Sequence, residues 1–110
     1  MLEKNPYQNL FIELRRGSLT LAVLGCLKKP HYGYALLESM KGIDIEIEAN
    51  TLYPLLRRLE SQGLLGSDWD ISESRPRKYY VLSEKGKEVL EMLLNEWKKI
   101  QDSIDRIPYE

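Results

Sequence analysis

One hundred and ten residues make one small domain, or a domain with an arm, and 43% hydrophobic with 30% charged residues is ordinary for a globular chain. The formal net charge of −1 excludes a protein that coats nucleic acid by bulk charge, so any basic function has to be local. The longest uncharged run, Gly17 to Leu27, is eleven residues and too short to span a bilayer; with no signal-peptide layout ahead of it, the chain is expected in the cytoplasm, away from membranes.

Asn5 to Leu27 reads as helix, with room for a break or hinge near Gly17, and Pro30 is expected to stop it. Leu10 and Leu14 form an apolar ridge that Leu21, Leu24 and Leu27 continue. The first half carries its own apolar set of Tyr7, Leu10, Phe11 and Leu14, which marks residues 1–17 as an arm suited to packing on a partner chain. The single cysteine, Cys26, sits among apolar residues and reads as a buried thiol. His31 to Lys41 is a second, shorter helix with Tyr32, Leu36 and Met40 in line and Gly42 as its cap. His31, the only histidine, has no partners for a metal site or a triad.

Ile43 to Glu48, IDIEIE, alternates strictly between isoleucine and acid, the pattern of a short strand. Then comes TLYPLLRRLESQGLL, Thr51 to Leu65. Leu52, Leu55, Leu56 and Leu59 make one buried helix face, while Asn50, Thr51, Tyr53, Arg57 and Arg58 turn the other way. Pro54 fits only near a helix start, and Gly63 is a natural terminator.

Gly66 to Leu82 has the composition of a β-hairpin around the polar turn Ser72–Pro76. Its distal half carries Arg75, Arg77 and Lys78 with no acid from Ser74 to Tyr80. Cations can protect an edge strand from aggregation, and they can equally bind phosphate. Ser83 is a suitable N-cap for a last helix that runs to Pro108. Leu90, Leu93, Trp97, Ile100, Ile104 and Ile107 follow at gaps of 3, 4, 3, 4, 3, the seam of a helix that packs along another. At ~24 residues and ~36 Å this helix outlasts what a small core needs, so a second copy of the chain, with Leu10 of the arm, is the economical partner.

Helix, helix, strand, helix, hairpin, long helix is the winged helix-turn-helix plan, in which the third helix enters the major groove and the hairpin wing lies on neighbouring backbone. The fold expected is mainly α with a small β-hairpin: residues 1–82 form the winged helix-turn-helix domain with its arm, and residues 83–110 the dimerisation helix. No glycine-rich phosphate loop, zinc-spaced cysteine–histidine set or nucleophile–base pair points to an enzyme or a cofactor. A winged-helix module that binds protein rather than DNA is the alternative, favoured by the near-neutral charge and the acidic segment 43–48.

Three segments carry a family resemblance. HYGYALLESM (31–40), NTLYPLLRRLESQGLL (50–65) and SRPRKYYVLSEKGKEVL (74–90) resemble the PadR family of bacterial and archaeal transcriptional regulators. GY in the second helix, TLYP followed by RLE, and RKYY-L-S-E-x-G across the wing stand in family order and spacing, and the short C-terminal part is similar to the compact branch with one long last helix. Glu48-Ala49-Asn50 replaces the family's usual small or proline-like approach to TLYP. The resemblance implies a homodimeric repressor that sets two recognition helices in successive major grooves of a pseudo-palindromic operator, about 34 Å apart. It assigns Asn50, Thr51, Tyr53 and Arg57 to base edges or adjacent phosphates, Tyr34 to phosphate or helix packing, and Arg75, Arg77, Lys78 and Tyr80 to phosphate or a narrow minor groove. Trp97 in an apolar seam can be plain packing. In the multidrug-sensing relatives the matching tryptophan stacks on flat aromatic drugs, which would make Leu14, Gly17, Ser18, Leu21, Trp97 and Gln101 an effector site here.

Overall fold

The computed structural model describes residues 5–109. The elements run α1 (Gln8–Cys26), β1 (His31–Tyr32), α2 (Gly33–Lys41), α3 (Ala49–Ser61), β2 (Leu65–Asp70), β3 (Arg77–Leu82) and α4 (Glu84–Asp105). The core is apolar and draws on almost every element: Val23, Leu24 and Leu27 from α1 and its end, Leu36 and Met40 from α2, Leu52, Leu56 and Leu59 from α3, Leu65 and Leu82 from the hairpin, and Leu90 from α4. The leucine face of α3 is buried as its spacing requires.

Several boundaries differ from those expected. α1 is one unbroken helix through Gly17, which is exposed and meets nothing; a single glycine costs a helix only about 1 kcal/mol. Arm and body therefore share one rod, and residues 1–4 of the arm lie outside those described. The helix ends at Cys26, before Pro30 is reached. His31 and Tyr32 leave the expected second helix to pair with Tyr80 and Tyr79, so the hairpin becomes a three-stranded sheet of order β1-β3-β2.

Ile43 to Glu48 is not a strand. The amides of Ile43, Asp44 and Ile45 turn back to the carbonyls of Met40 and Lys41, and Asp44 has a left-handed φ of 62°. That residue interrupts any extended run. The alternation survives only as packing, with Ile45 and Ile47 against the core. Gly42 caps α2 in an ordinary right-handed conformation, φ −63°.

α3 begins at Ala49, two residues ahead of Thr51, which puts Pro54 in its second turn. Its end follows the Schellman pattern: the Gly63 amide donates to Glu60 and the Leu64 amide to Leu59, with Gly63 at φ +79°. α3 is tied to α4 through Ser83. The Ser83 Oγ donates to the Gly63 carbonyl at 2.7 Å and accepts from the Gly86 amide at 3.0 Å. Gly86 has to be small, because a Cβ there would overlap the Leu64 carbonyl.

Leu90, expected in a seam between copies, is 2% exposed and belongs to the chain's own core. The ladder beyond it is open: Leu93, Trp97, Ile100, Ile104 and Ile107 are all exposed, as are Leu10, Phe11 and Leu14 of α1. Among the described residues no helix is long and apolar enough to cross a membrane, and no His, Cys, Asp and Glu cluster could hold a metal.

Candidate nucleic-acid interface

With its leucines buried, α3 turns Asn50, Thr51, Arg57 and Arg58 to the surface. None of the four side chains is taken up by a hydrogen bond or ion pair within the described residues. Arg58 belongs to this face as fully as Arg57 does, although only Arg57 was expected among the contacts; its adjacency in the RR pair was the available signal. Tyr53 is half-buried. Its ring lies against Gly33 at the start of α2, where an added Cβ would stand 2.5 Å from Cε1. Gly33 is the site residue that the helical pattern does not single out, and it fixes how closely α2 and α3 approach.

The wing is β2 and β3, paired from Leu65 opposite Leu82 to Asp70 opposite Arg77. Side chains alternate across a strand. Lys78, Tyr80 and Leu82 share one face of β3, and Tyr80 and Leu82 are core residues. Tyr80 is 5% exposed and so leaves the set of expected DNA contacts. Tyr34 is exposed, stacks on Tyr32 with ring centroids 5.9 Å apart, and accepts a hydrogen bond from Arg77 Nη1 at 3.1 Å.

The three wing cations differ in kind. Arg75 is exposed and makes no ion pair among the described residues. Arg77 Nη2 lies 3.5 Å from Asp70 and 3.4 Å from Glu73. Lys78 Nζ lies 3.4 Å from Glu60 on α3. The acid-free run from Ser74 to Tyr80 is met from outside that run: Asp70 lies on the paired strand β2, Glu73 in the hairpin turn and Glu60 on α3. Asp70 is held far below the ordinary carboxylate range by the hydroxyl of Ser72, then by the hydroxyl of Tyr32, the Ser72 amide and the charge of Arg77. Glu60 is lowered by the hydroxyl of Ser67 and, after a partial offset from burial, by Lys78. Tyr32 is raised, first by its hydrogen bond to Asp70.

A second feature lies between α1 and α4. A groove of about 350 Å³ is lined by Leu14, Gly17, Ser18, Leu21 and Trp97, with Leu93, Glu96 and Ile100 beside them. Five of the six residues expected around an effector meet there; Gln101 does not line it.

A trihelical body with a short sheet, a hairpin wing and a polar-fronted third helix defines a winged helix-turn-helix protein. Residues 21–92 match the transcriptional regulator PadR-like family, and the chain belongs to it. It is similar to a PadR family transcriptional regulator from Eggerthella lenta DSM 2243, at 49% identity over 90% of this chain and 88% of that one, with a TM-score of 0.86. An uncharacterised protein of Lysinibacillus sphaericus is 31% identical over 84% of this chain and 90% of its own length. Bacillus subtilis PadR, solved in complex with operator DNA, is 28% identical over 70% of this chain and 46% of that one, with a TM-score of 0.64. The family is one of transcription regulators rather than enzymes.

Proposed function

We propose that this chain is a sequence-specific DNA-binding repressor that acts as a homodimer and is released by a small hydrophobic or aromatic effector. The observation that carries the reading is the outer face of α3, where Asn50, Thr51, Arg57 and Arg58 stand exposed while the leucines behind them are buried. Arginine pairs well with guanine and asparagine with adenine on a major-groove floor. The near-neutral net charge is compatible with this, because Arg57 and Arg58 on α3 and Arg75 on the wing are exposed and make no ion pair among the described residues. Bacillus subtilis PadR, with operator DNA bound, supports the same use of the fold.

The homodimer rests on unpartnered apolar surface. Leu10, Phe11 and Leu14 on α1, Trp97, Ile100 and Ile104 on α4, and Ile107 just past its end are 44–83% exposed, apolar surface that a lone chain leaves in water. Two copies packed on these helices would hold two α3 helices on one side of a duplex. The groove beside Trp97 offers an indole face and aliphatic walls to a flat apolar molecule. Such a molecule acts by favouring one spacing of the recognition helices over another.

A mobility shift on the protein's own upstream region at two salt concentrations, with the oligomeric state measured by light scattering, tests the reading. Salt-sensitive binding by a dimer is expected. A duplex left unbound at low salt would favour a protein-interaction module, for which the exposed acids Asp44, Glu46 and Glu48 offer a surface.

A further inference from the structure

The inner two cations of the wing are engaged by the protein itself, each with a different helix. Arg77 Cζ sits 4.2 Å from the centroid of the Tyr32 ring. That ring is parallel to Tyr34 and meets Tyr79 edge-on, with centroids 6.3 Å apart. The guanidinium donates to Tyr34 Oη at 3.1 Å and reaches Glu73 and Asp70, while the Tyr32 hydroxyl itself donates to Asp70. Arg77 Nε is buried. Lys78 reaches Glu60 in the last turn of α3, whose carboxylate also accepts from Ser67 on β2, and lies 5.1 Å from the centroid of Tyr80. Arg77 thus joins the wing to β1 and α2, and Lys78 joins it to α3.

We propose that Arg77 and Lys78 are positioning residues that set the angle of the wing against α2 and α3, and that Arg75 at the tip delivers the wing's charge to the duplex backbone. The proposal rests on the DNA-binding reading and assigns the division of labour within it. To reach a phosphate, Arg77 would have to leave the tyrosine stack and abandon two carboxylates beside a polyanion, and like charges repel at that range. Arg75 makes no ion pair or side-chain hydrogen bond among the described residues. Lysine cannot replace Arg77, because it has neither the planar face that stacks on Tyr32 nor the fork that serves tyrosine and carboxylate together.

A double-mutant cycle on the full-length protein, binding a duplex of its own upstream region, tests this. Arg75→Ala alone is expected to weaken binding about tenfold, the scale of one charge-assisted hydrogen bond. In the Arg77→Ala background the same change should cost less than about twofold, because the tip is already misplaced. A general loss of fold stability would leave the Arg75 cost intact. Arg77→Lys should bind as weakly as Arg77→Ala. If Arg77→Ala does not fold, Tyr32→Phe takes its place in the cycle: it keeps every charge and removes the hydroxyl that joins Asp70 to the stack. Additive costs, an Arg77→Lys protein that binds like the parent, or tighter binding on Asp70→Asn would overturn the proposal and make Arg77 a phosphate ligand in its own right. A parent protein that ignores the duplex at low salt sinks the DNA reading, whereas a parent that binds with an additive cycle sinks only the positioning role.

Discussion

The ring of Tyr53 lies against Gly33 so closely that a Cβ on the glycine would stand 2.5 Å from Cε1 and 2.6 Å from the phenolic oxygen. The first residue of α2 and the second turn of α3 therefore meet through an aromatic plate on a bare backbone. The angle between the two helices of the helix-turn-helix is set there, and with it the direction in which Asn50 and Arg57 point.

Gly33→Ala should be destabilising by about 1–3 kcal/mol, the usual cost of overpacking a well-filled site. It should also weaken DNA binding, because Tyr53 can yield only by moving α3. The midpoint of urea unfolding reads the first effect. Adding Tyr53→Leu to Gly33→Ala should restore much of the stability, and failure of that rescue would mean that the tight contact is not the cause.

Ser83 serves two backbones at once, accepting from Gly86 and donating to Gly63. Ser83→Ala is expected to lower stability by about 1–2 kcal/mol. Ser83→Asp keeps the cap on α4 but cannot donate to Gly63, so it should recover only part of the loss, while Ser83→Thr should recover most of it. Equal stability of the Asp and Thr variants would show that the bond to Gly63 contributes nothing.

Arg57 and Arg75 should fail in different ways. Arg57→Ala removes a group on the exposed outer face of α3, the face proposed to enter the major groove, and should relax base preference by about 1–3 kcal/mol at one position of the operator. Arg75→Ala should weaken all sequences alike and reduce the slope of log K against log salt by about one. Titrations on matched and mutated duplexes at several salt concentrations separate the two patterns.

The cluster around Asp70 has a pH signature. Its carboxyl is lowered in the folded protein, so its contribution to stability is fully present above the unfolded carboxylate pKa of about 4. That contribution is lost as pH falls below this value through the depressed one. Glu60 is shifted in the same direction and acts with the same sign. Unfolding midpoints should thus be insensitive to these two groups near neutrality and fall on the acid side. Asp70→Asn should flatten that acid limb, and an unchanged limb would rule the group out.

Ile104 stands 50% exposed in the open ladder of α4. In the proposed dimer this side chain packs on the partner copy, so Ile104→Glu should leave a folded monomer, since a carboxylate buried against an apolar partner carries an uncompensated charge. Light scattering reads the mass and circular dichroism the fold. Operator affinity should collapse with the dimer, because the second recognition helix is no longer tethered. An unchanged dimer would place the interface elsewhere.

Much of this protein is written in short-range pattern. The leucine face of α3, the polar turn of the wing, the cap at Ser83 and the open ladder of α4 each follow from spacings of two to four residues, because helix and strand geometry decide locally which side chains share a face. Leu14, Gly17, Ser18, Leu21 and Trp97, which line one groove between α1 and α4, were pointed to by the family resemblance and not by spacing. Residues that meet across the fold were not legible in this way. The strictly alternating 43–48 segment is no strand, since the place beside β3 goes to His31 and Tyr32, and alternation does not say which segment finds a free edge. Tyr80 and Leu90 look as available as their neighbours in the sequence, yet both are closed off by elements far along the chain. No acid stands within the run from Ser74 to Tyr80, and tertiary structure supplied Glu60 to Lys78 and Tyr34 to Arg77 across 18 and 43 positions. Periodicity carries the side a residue faces, whereas its partner depends on how the chain closes on itself, and only that closure decided which charges are left for another molecule.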